Sequence, residues 1–307
     1  MCKLSRKDDR FWFSIDCVII AARLGFMPGP SVRSRQLAAE LRRLREACGL
    51  TGDEVAARLS WSPAKISRIE TARTMVSPAD LQAMLDLYEV SGGNRDRLTE
   101  LGRASRQRGW WDTYADLLGP EYATLIALES DAEMARWYAA QIVPGLLQTE
   151  DYAREIIRST LLISPPGEIE RKVQVRMSRQ RVLDAEAPLR LSVILDESVL
   201  RRAVGGAEVM RDQLRHLVQA ASRPNVDLRV LPDAAGAHPS ITGEFTILSF
   251  PERGAPDVVY LENMTSNIYV EREAEVFLYT LVFDRLTSMA MGPEDSVSLI
   301  TELADHL

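Results

Sequence analysis

Two short helical stretches lie back to back between Leu50 and Glu70, each with its own start signal, and this pair constrains the chain more than any other feature. Thr51 with Glu54 three residues on is a capping-box pattern. Ser62 followed by Pro63 is an N-cap with proline at the first helical position. Ser60 and Trp61 leave room only for a tight turn between them. Ala56 is the small residue where such helices cross, and Val55, Leu59, Ile66 and Ile69 are apolar anchors. On a wheel of ~100° per residue with Ile66 and Ile69 inward, Ala64, Ser67, Arg68 and Thr71 point outward and Lys65 lies on the flank.

That outward set suits a helix that reads a DNA major groove. A guanidinium at Arg68 donates two hydrogen bonds to a guanine edge, and Lys65 reaches guanine or phosphate. Thr51 and Ser62, at helix N-termini, expose backbone N–H groups to phosphate oxygens, and Arg73 is a phosphate contact just past the helix. The candidate DNA-binding residues are therefore Thr51, Ser62, Ala64, Lys65, Ser67, Arg68, Thr71 and Arg73. Glu70 reads as structural, bonded to backbone or a nearby arginine. The alternative is a helical hairpin for protein contact, in which Arg68 is a solvated charge.

The flanks supply the rest of a small helical domain. Leu37, Leu41, Leu44 and Cys48 recur at helical spacing with Gly49 after them, so residues 34–48 read as a helix. Ser77-Pro78 starts another, with Leu81, Met84, Leu85 and Tyr88 as its stripe, and residues 95–105 form a last one. The run from Leu50 to Glu70, above all Ser62-Pro63-Ala64-Lys65-Ile66-Ser67-Arg68-Ile69-Glu70, resembles the Xre/Cro-like helix-turn-helix family. The resemblance implies a five-helix DNA-binding domain. Three positions depart from the family pattern. Gly52 stands where that family has a glutamine that often touches DNA, so that role is not carried over. Ser60 and Ala72 stand where it has glycine, which predicts strained or altered turns.

Charge supports the division. Net charge is −7 over 307 residues, yet residues 32–108 carry 14 basic and 10 acidic side chains, and residues 109–307 are acidic by 13. A basic front and acidic back is expected when only one domain meets phosphate. Composition, at 46% apolar and 26% charged, is that of a soluble globular chain. Cys2, Cys17 and Cys48, with His216, His238 and His306, form no metal or disulfide pattern, so no metal, no cofactor and a reducing cytoplasm are expected. Residues 11–27 mimic a signal peptide, but Asp16 and Arg23 interrupt them. Residues 1–31 read as a flexible extension, with Met27 before Pro-Gly-Pro as an alternative start.

The expected domains are 1–31 (extension), 32–103 (helix-turn-helix) and 109–307 (regulatory). In the last, residues 120–160 read as helix broken at Val143-Pro144-Gly145, residues 168–185 and 206–221 as helices, and 189–195, 227–231, 244–250, 257–261 and 266–270 as strands. Residues 271–290 and 293–306 close as helices. The fold class is α+β, with a mixed or antiparallel sheet. Asp196, Glu197, His238, Asp257 and Glu262 match no catalytic spacing, and His238 reads as a surface or capping histidine, so no enzymatic activity is expected. Gly109-Trp110-Trp111, Val143-Pro144-Gly145-Leu146-Leu147-Gln148-Thr149, Arg223-Pro224-Asn225-Val226 and Gly236-Ala237-His238-Pro239 resemble the C-terminal domain of a large actinobacterial regulator family described as antitoxin-like. That resemblance implies a transcriptional regulator controlled by a small protein encoded nearby, and no residue-level role. A homodimer on a double-stranded operator is expected, away from the membrane. Two alternatives stand: a small-molecule sensor with a pocket at Trp110, Trp111, Trp137 and Tyr138, and an interaction adaptor without DNA binding.

Overall fold

A computed structural model describes residues 32–106, 109–161, 165, 167–251, 256–263 and 266–307. The expected extension, residues 1–31, lies outside the described residues.

The front of the chain is all helix: α1 (Val32–Ala47), α2 (Gly52–Leu59), α3 (Pro63–Glu70), α4 (Pro78–Leu87) and α5 (Gly92–Ala104). Its own core gathers Leu37 and Leu41 of α1, Val55 and Ala56 of α2, Ile66 and Ile69 of α3, Leu81, Met84 and Leu85 of α4, and Leu98 of α5. Each is at most 3% exposed, so these apolar positions are the buried faces, but of the stripe expected on α1 Leu44 is half-buried and Cys48 is exposed past the helix end. Helix α5 starts three residues earlier than its pattern suggested, because Gly92 at φ 60° opens the turn that leads into it.

The second domain is built on a six-stranded sheet ordered β3-β2-β1-β4-β5-β6. The strands are β1 (Met134–Ala139), β2 (Arg190–Asp196), β3 (Val226–Leu231), β4 (Phe245–Ser249), β5 (Val258–Glu262) and β6 (Asn267–Val270). β1, β2 and β3 run parallel, and β4, β5 and β6 continue antiparallel from β1, so the sheet is mixed and the class is α+β. The helices are α6 (Pro120–Asp131), α7 (Glu150–Thr160), α8 (Glu168–Arg179), α9 (Glu197–Arg201), α10 (Gly206–Ala221), α11 (Glu273–Met289) and α12 (Pro293–Asp305). The parallel strands need long crossovers, and α7, α8 and α10 supply them.

One sequence expectation is corrected here. Residues 134–139 are the central strand β1, not part of a helix from 120 to 160. The segment has no β-branched residue. It is a strand because β2 and β4 flank it, with Tyr138 opposite Ile194 and Phe245. The helix expected over 168–185 also ends earlier, at Arg179, and a 3₁₀ turn carries the chain to Leu183.

The two domains touch through α1. Arg33 pairs with Asp131 of α6 at 3.1 Å. Arg35 pairs with Glu271 and lies 5.3 Å from the centre of the Tyr269 ring.

Candidate nucleic-acid interface

The α2–α3 unit is closed at both starts by its own side chains. Thr51 Oγ1 accepts from Glu54 N at 3.2 Å, and Glu54 Oε2 accepts from Thr51 N at 2.8 Å. The Thr51 hydroxyl also donates to Glu54 Oε2 at 2.9 Å, and the bonds to the carboxylate from the Thr51 backbone N–H first and its hydroxyl second hold the Glu54 carboxyl below its ordinary range. Ser62 Oγ accepts from Lys65 N at 3.2 Å, with Pro63 opening α3. The turn between the helices depends on Ser60 at φ 56°, a left-handed cap whose N–H returns to Ala56 and Ala57 carbonyls. Past α3, Ala72 takes φ 54°. Both positions therefore adopt the conformation that glycine would provide more cheaply.

Helix α3 presents an outward face of the expected residues. Ala64, Ser67, Arg68 and Thr71 are exposed, while Ile66 and Ile69 are 1% and 3% exposed. Thr71 Oγ1 donates to Ser67 O at 2.6 Å, which spends its hydroxyl proton inside the helix. The Arg68 guanidinium has neither ion pair nor hydrogen bond among the described residues, and exposed Arg73 follows the helix. Beside this face is a hollow of about 450 Å³, lined by Arg42, Gly52, Asp53, Ala64, Ser67 and Thr71. A side chain at Gly52 would meet nothing nearer than Ile66 at 3.8 Å, so neither φ nor space requires glycine there.

Lys65 departs from its expected role. Its Nζ lies 2.7 Å from Asp80 Oδ1 of α4 and 3.7 Å from the centre of the Trp61 ring. Burial pushes the Asp80 carboxyl up, the hydrogen bonds from Lys65 and Ser77 pull it down, and the net position is below the usual carboxylate range. Lys65 thus braces α3 on α4. Arg45, which sequence reasoning did not single out, holds the other end of α3 through Glu70. The arginine spacing on α1 was visible in the sequence, but its partner 25 residues on was not.

The four aromatic residues of the expected pocket do not converge. Trp110 and Trp111 sit edge to face at 5.9 Å, packed with Leu118 and Ile126. Trp137 and Tyr138 are neighbours on β1, so their side chains leave by opposite faces of the sheet. His238 is half-buried against Tyr138, its Nε2 3.3 Å from the phenol oxygen, which also lies 3.3 Å from Asp196 Oδ2. Of the surface or capping roles expected of this histidine, the structure gives a half-buried ring on the Tyr138 hydroxyl. The other acidic candidates are largely occupied: Asp196 caps Ser198 N, Glu197 binds Arg201 and Asp233 N, and Asp257 binds Arg136 and Ser249.

Among the described residues no helix is long and apolar enough to cross a membrane, and no cluster of three or more potential metal ligands occurs. Residues 36–98 match the family model of a helix-turn-helix domain, which defines the class of the front unit. Residues 122–302, more than half of the chain, match a second family, described as Domain of unknown function (DUF5753), and the chain belongs to that family. No curated protein and no solved structure matches the chain.

Proposed function

We infer that this protein is a sequence-specific transcriptional regulator of the Xre/Cro-like type, which lays α3 in the major groove of a double-stranded operator. The observation that carries the reading is the outward face of α3, where Arg68 stands exposed and unpaired between Ala64, Ser67 and Thr71. A buried or ion-paired arginine would have to break a bond before reading a base. This one has only water to lose, and its fork matches the two acceptors of guanine. The caps occupy the N–H groups of Thr51, Glu54 and Lys65, and those of Gly52, Asp53 and Ala64 are left for flanking phosphates.

In this reading the protein acts as a homodimer on two half-sites about 34 Å apart. The acidic second domain carries the dimer contact and the site for a small protein encoded nearby, in the manner of an antitoxin-like regulator. Acidity there repels DNA and suits a basic partner. The protein works as a regulator and not as an enzyme. Of the four aromatics offered for the ligand-sensor alternative, Tyr138 stands apart from Trp137 on the other face of the sheet.

The test is footprinting of the purified protein on the DNA upstream of its own gene. A discrete protected site of one or two helical turns is expected. Uniform weak protection, equal to that of random DNA, would contradict the reading.

A further inference from the structure

The hollow of about 450 Å³ beside α3 lies where α2 and α3 begin. Gly52, the first residue of α2, contributes no side chain to it, and Ala64 of α3 contributes only a methyl. A Cβ at Gly52 would lie 3.8 Å from Cγ2 of Ile66, an ordinary contact distance. The gap is therefore the want of a side chain and not a need of the backbone. At ~100° per residue, Ala64 and Thr71 form the middle of the outward face of α3, with Ser67 on one side and Arg68 on the other. Ser67 lines the hollow, so the hollow and the Arg68 guanidinium flank one stripe of the same helix.

The lining says what fits. Its apolar part is exposed Pro63 and Ala64, with Ile66 beneath them. Its charges are not those of a phosphate site. Arg42 is bonded to Glu46, Nε to Oε1 at 2.9 Å, and Glu70 is held by Arg45. Asp53 adds a carboxylate without a cation partner. Among the described residues the hollow thus holds no uncommitted cation to draw a phosphate into it. A base edge suits it better. In the major groove guanine, cytosine and adenine present hydrogen-bonding groups, and thymine alone adds an apolar one, its C5 methyl.

We propose that the hollow between Gly52 and Ala64 is a thymine-reading subsite, in which the C5 methyl of an operator thymine rests on Pro63 and Ala64 over Ile66. The subsite rests on the DNA-reading function above and deepens it. Helix α3 reads a guanine with Arg68 on one side and a thymine methyl with the hollow on the other. A helix is about 10 Å across and base pairs follow one another at ~3.4 Å, so the two bases lie within about three steps. Gly52 is the residue that sets the preference, because a longer side chain there takes the place of the methyl.

The test is anisotropy titration of the full chain with the footprinted operator, each thymine replaced in turn by deoxyuridine, which lacks only the C5 methyl. Wild type, Gly52→Leu and Gly52→Gln are compared, two fillings of different shape, and thermal melts verify that they fold. In wild type, deoxyuridine at one thymine per half-site weakens binding by about fourfold, the cost of returning one methyl group to water. That thymine lies within about three steps of the guanine whose replacement Arg68→Ala no longer discriminates. In Gly52→Leu and Gly52→Gln the same exchange leaves affinity unchanged, because the hollow is already filled. A wild type indifferent to every exchange, or a Gly52→Leu and a Gly52→Gln as sensitive as wild type, overturns the proposal and leaves reading by Arg68 standing. A loss in Gly52→Leu that is equal on operator and random DNA, with a shallower salt slope, assigns the hollow to a phosphate and also overturns it. A wild type that prefers no operator at all overturns the regulator reading and the subsite together.

Discussion

Arg45 of α1 grips Glu70, the last residue of α3, with two hydrogen bonds: Nε to Oε1 at 2.7 Å and Nη2 to Oε2 at 3.0 Å. The same guanidinium donates to Leu50 O at 2.7 Å, in the loop that leads into α2. One side chain thus ties the start of the helix pair to its end. The Glu70 hydrogen bonds, the largest influence on Arg45, keep its guanidinium charged. Arg45→Met leaves the Glu70 carboxylate, 9% exposed, without its partner. Loss of one partner of a fully buried pair costs about 3–5 kcal/mol, and this pair, at the rim of the core, about 2 kcal/mol. Denaturant unfolding of Arg45→Met should show that loss, and an unchanged midpoint would contradict the tie.

The left-handed turns predict a gain. Ser60 is exposed at φ 56°, so Ser60→Gly removes strain without removing packing. A rise in stability of about 0.5–1 kcal/mol is expected, net of the flexibility that glycine adds to the unfolded chain. Ala72 is 8% exposed, so Ala72→Gly gives up methyl contacts and should gain less. Thermal melts of the two variants check the order, and a lower melting temperature for Ser60→Gly would refute the turn.

Acid should loosen the helical domain only below about pH 4. Glu54 and Asp80 both sit below their ordinary values in the folded chain. A depressed carboxyl stabilises the fold above its unfolded value, near 4, and that contribution disappears as pH falls through the lower folded value. Stability of the helical domain should therefore be flat from about pH 5 to 8 in these two groups and fall below about pH 4. Glu54→Gln and Asp80→Asn should each flatten the acid limb of a pH series of denaturation curves. An acid limb unaltered in both variants would contradict the assignment.

On the proposed reading, Asp80 holds Lys65 away from DNA. The Lys65–Asp80 pair is partly exposed, at 33% and 23%, so breaking it costs little, about 0–1 kcal/mol. Asp80→Asn should free Lys65 for phosphate and remove a nearby negative charge. DNA affinity should rise, and the slope of log K against log salt should steepen by about 0.9, one extra phosphate contact. Anisotropy titrations at several salt concentrations read both, and an unchanged slope would mean that Lys65 stays on Trp61 when Asp80 is neutral.

Where local chemistry decides structure, the sequence was legible. Thr51, Ser62 and Ser77 each accept the backbone hydrogen bond that their patterns implied. Ser60 and Ala72, marked as departures from glycine, adopt positive φ. Glu70 is paired to an arginine, as read. What escaped was set by distant partners. Strand β1 carries Met134, Ala135 and Arg136, good helix formers, and is held as a strand by segments more than 50 residues away. Lys65 looked free because Asp80 reaches it only after α4 folds back. Trp137 and Tyr138 looked like one feature because adjacent residues in a helix stay closer in direction than adjacent residues in a strand.

The most direct test of the account is the salt dependence of binding to the footprinted operator and to random DNA, for wild type and Arg68→Ala in parallel. Wild type should prefer the operator at every salt concentration. Arg68→Ala should lose about 1–3 kcal/mol of that preference while still binding random DNA with nearly the wild-type affinity. If Arg68→Ala kept the full preference, α3 would not be the helix that reads the bases.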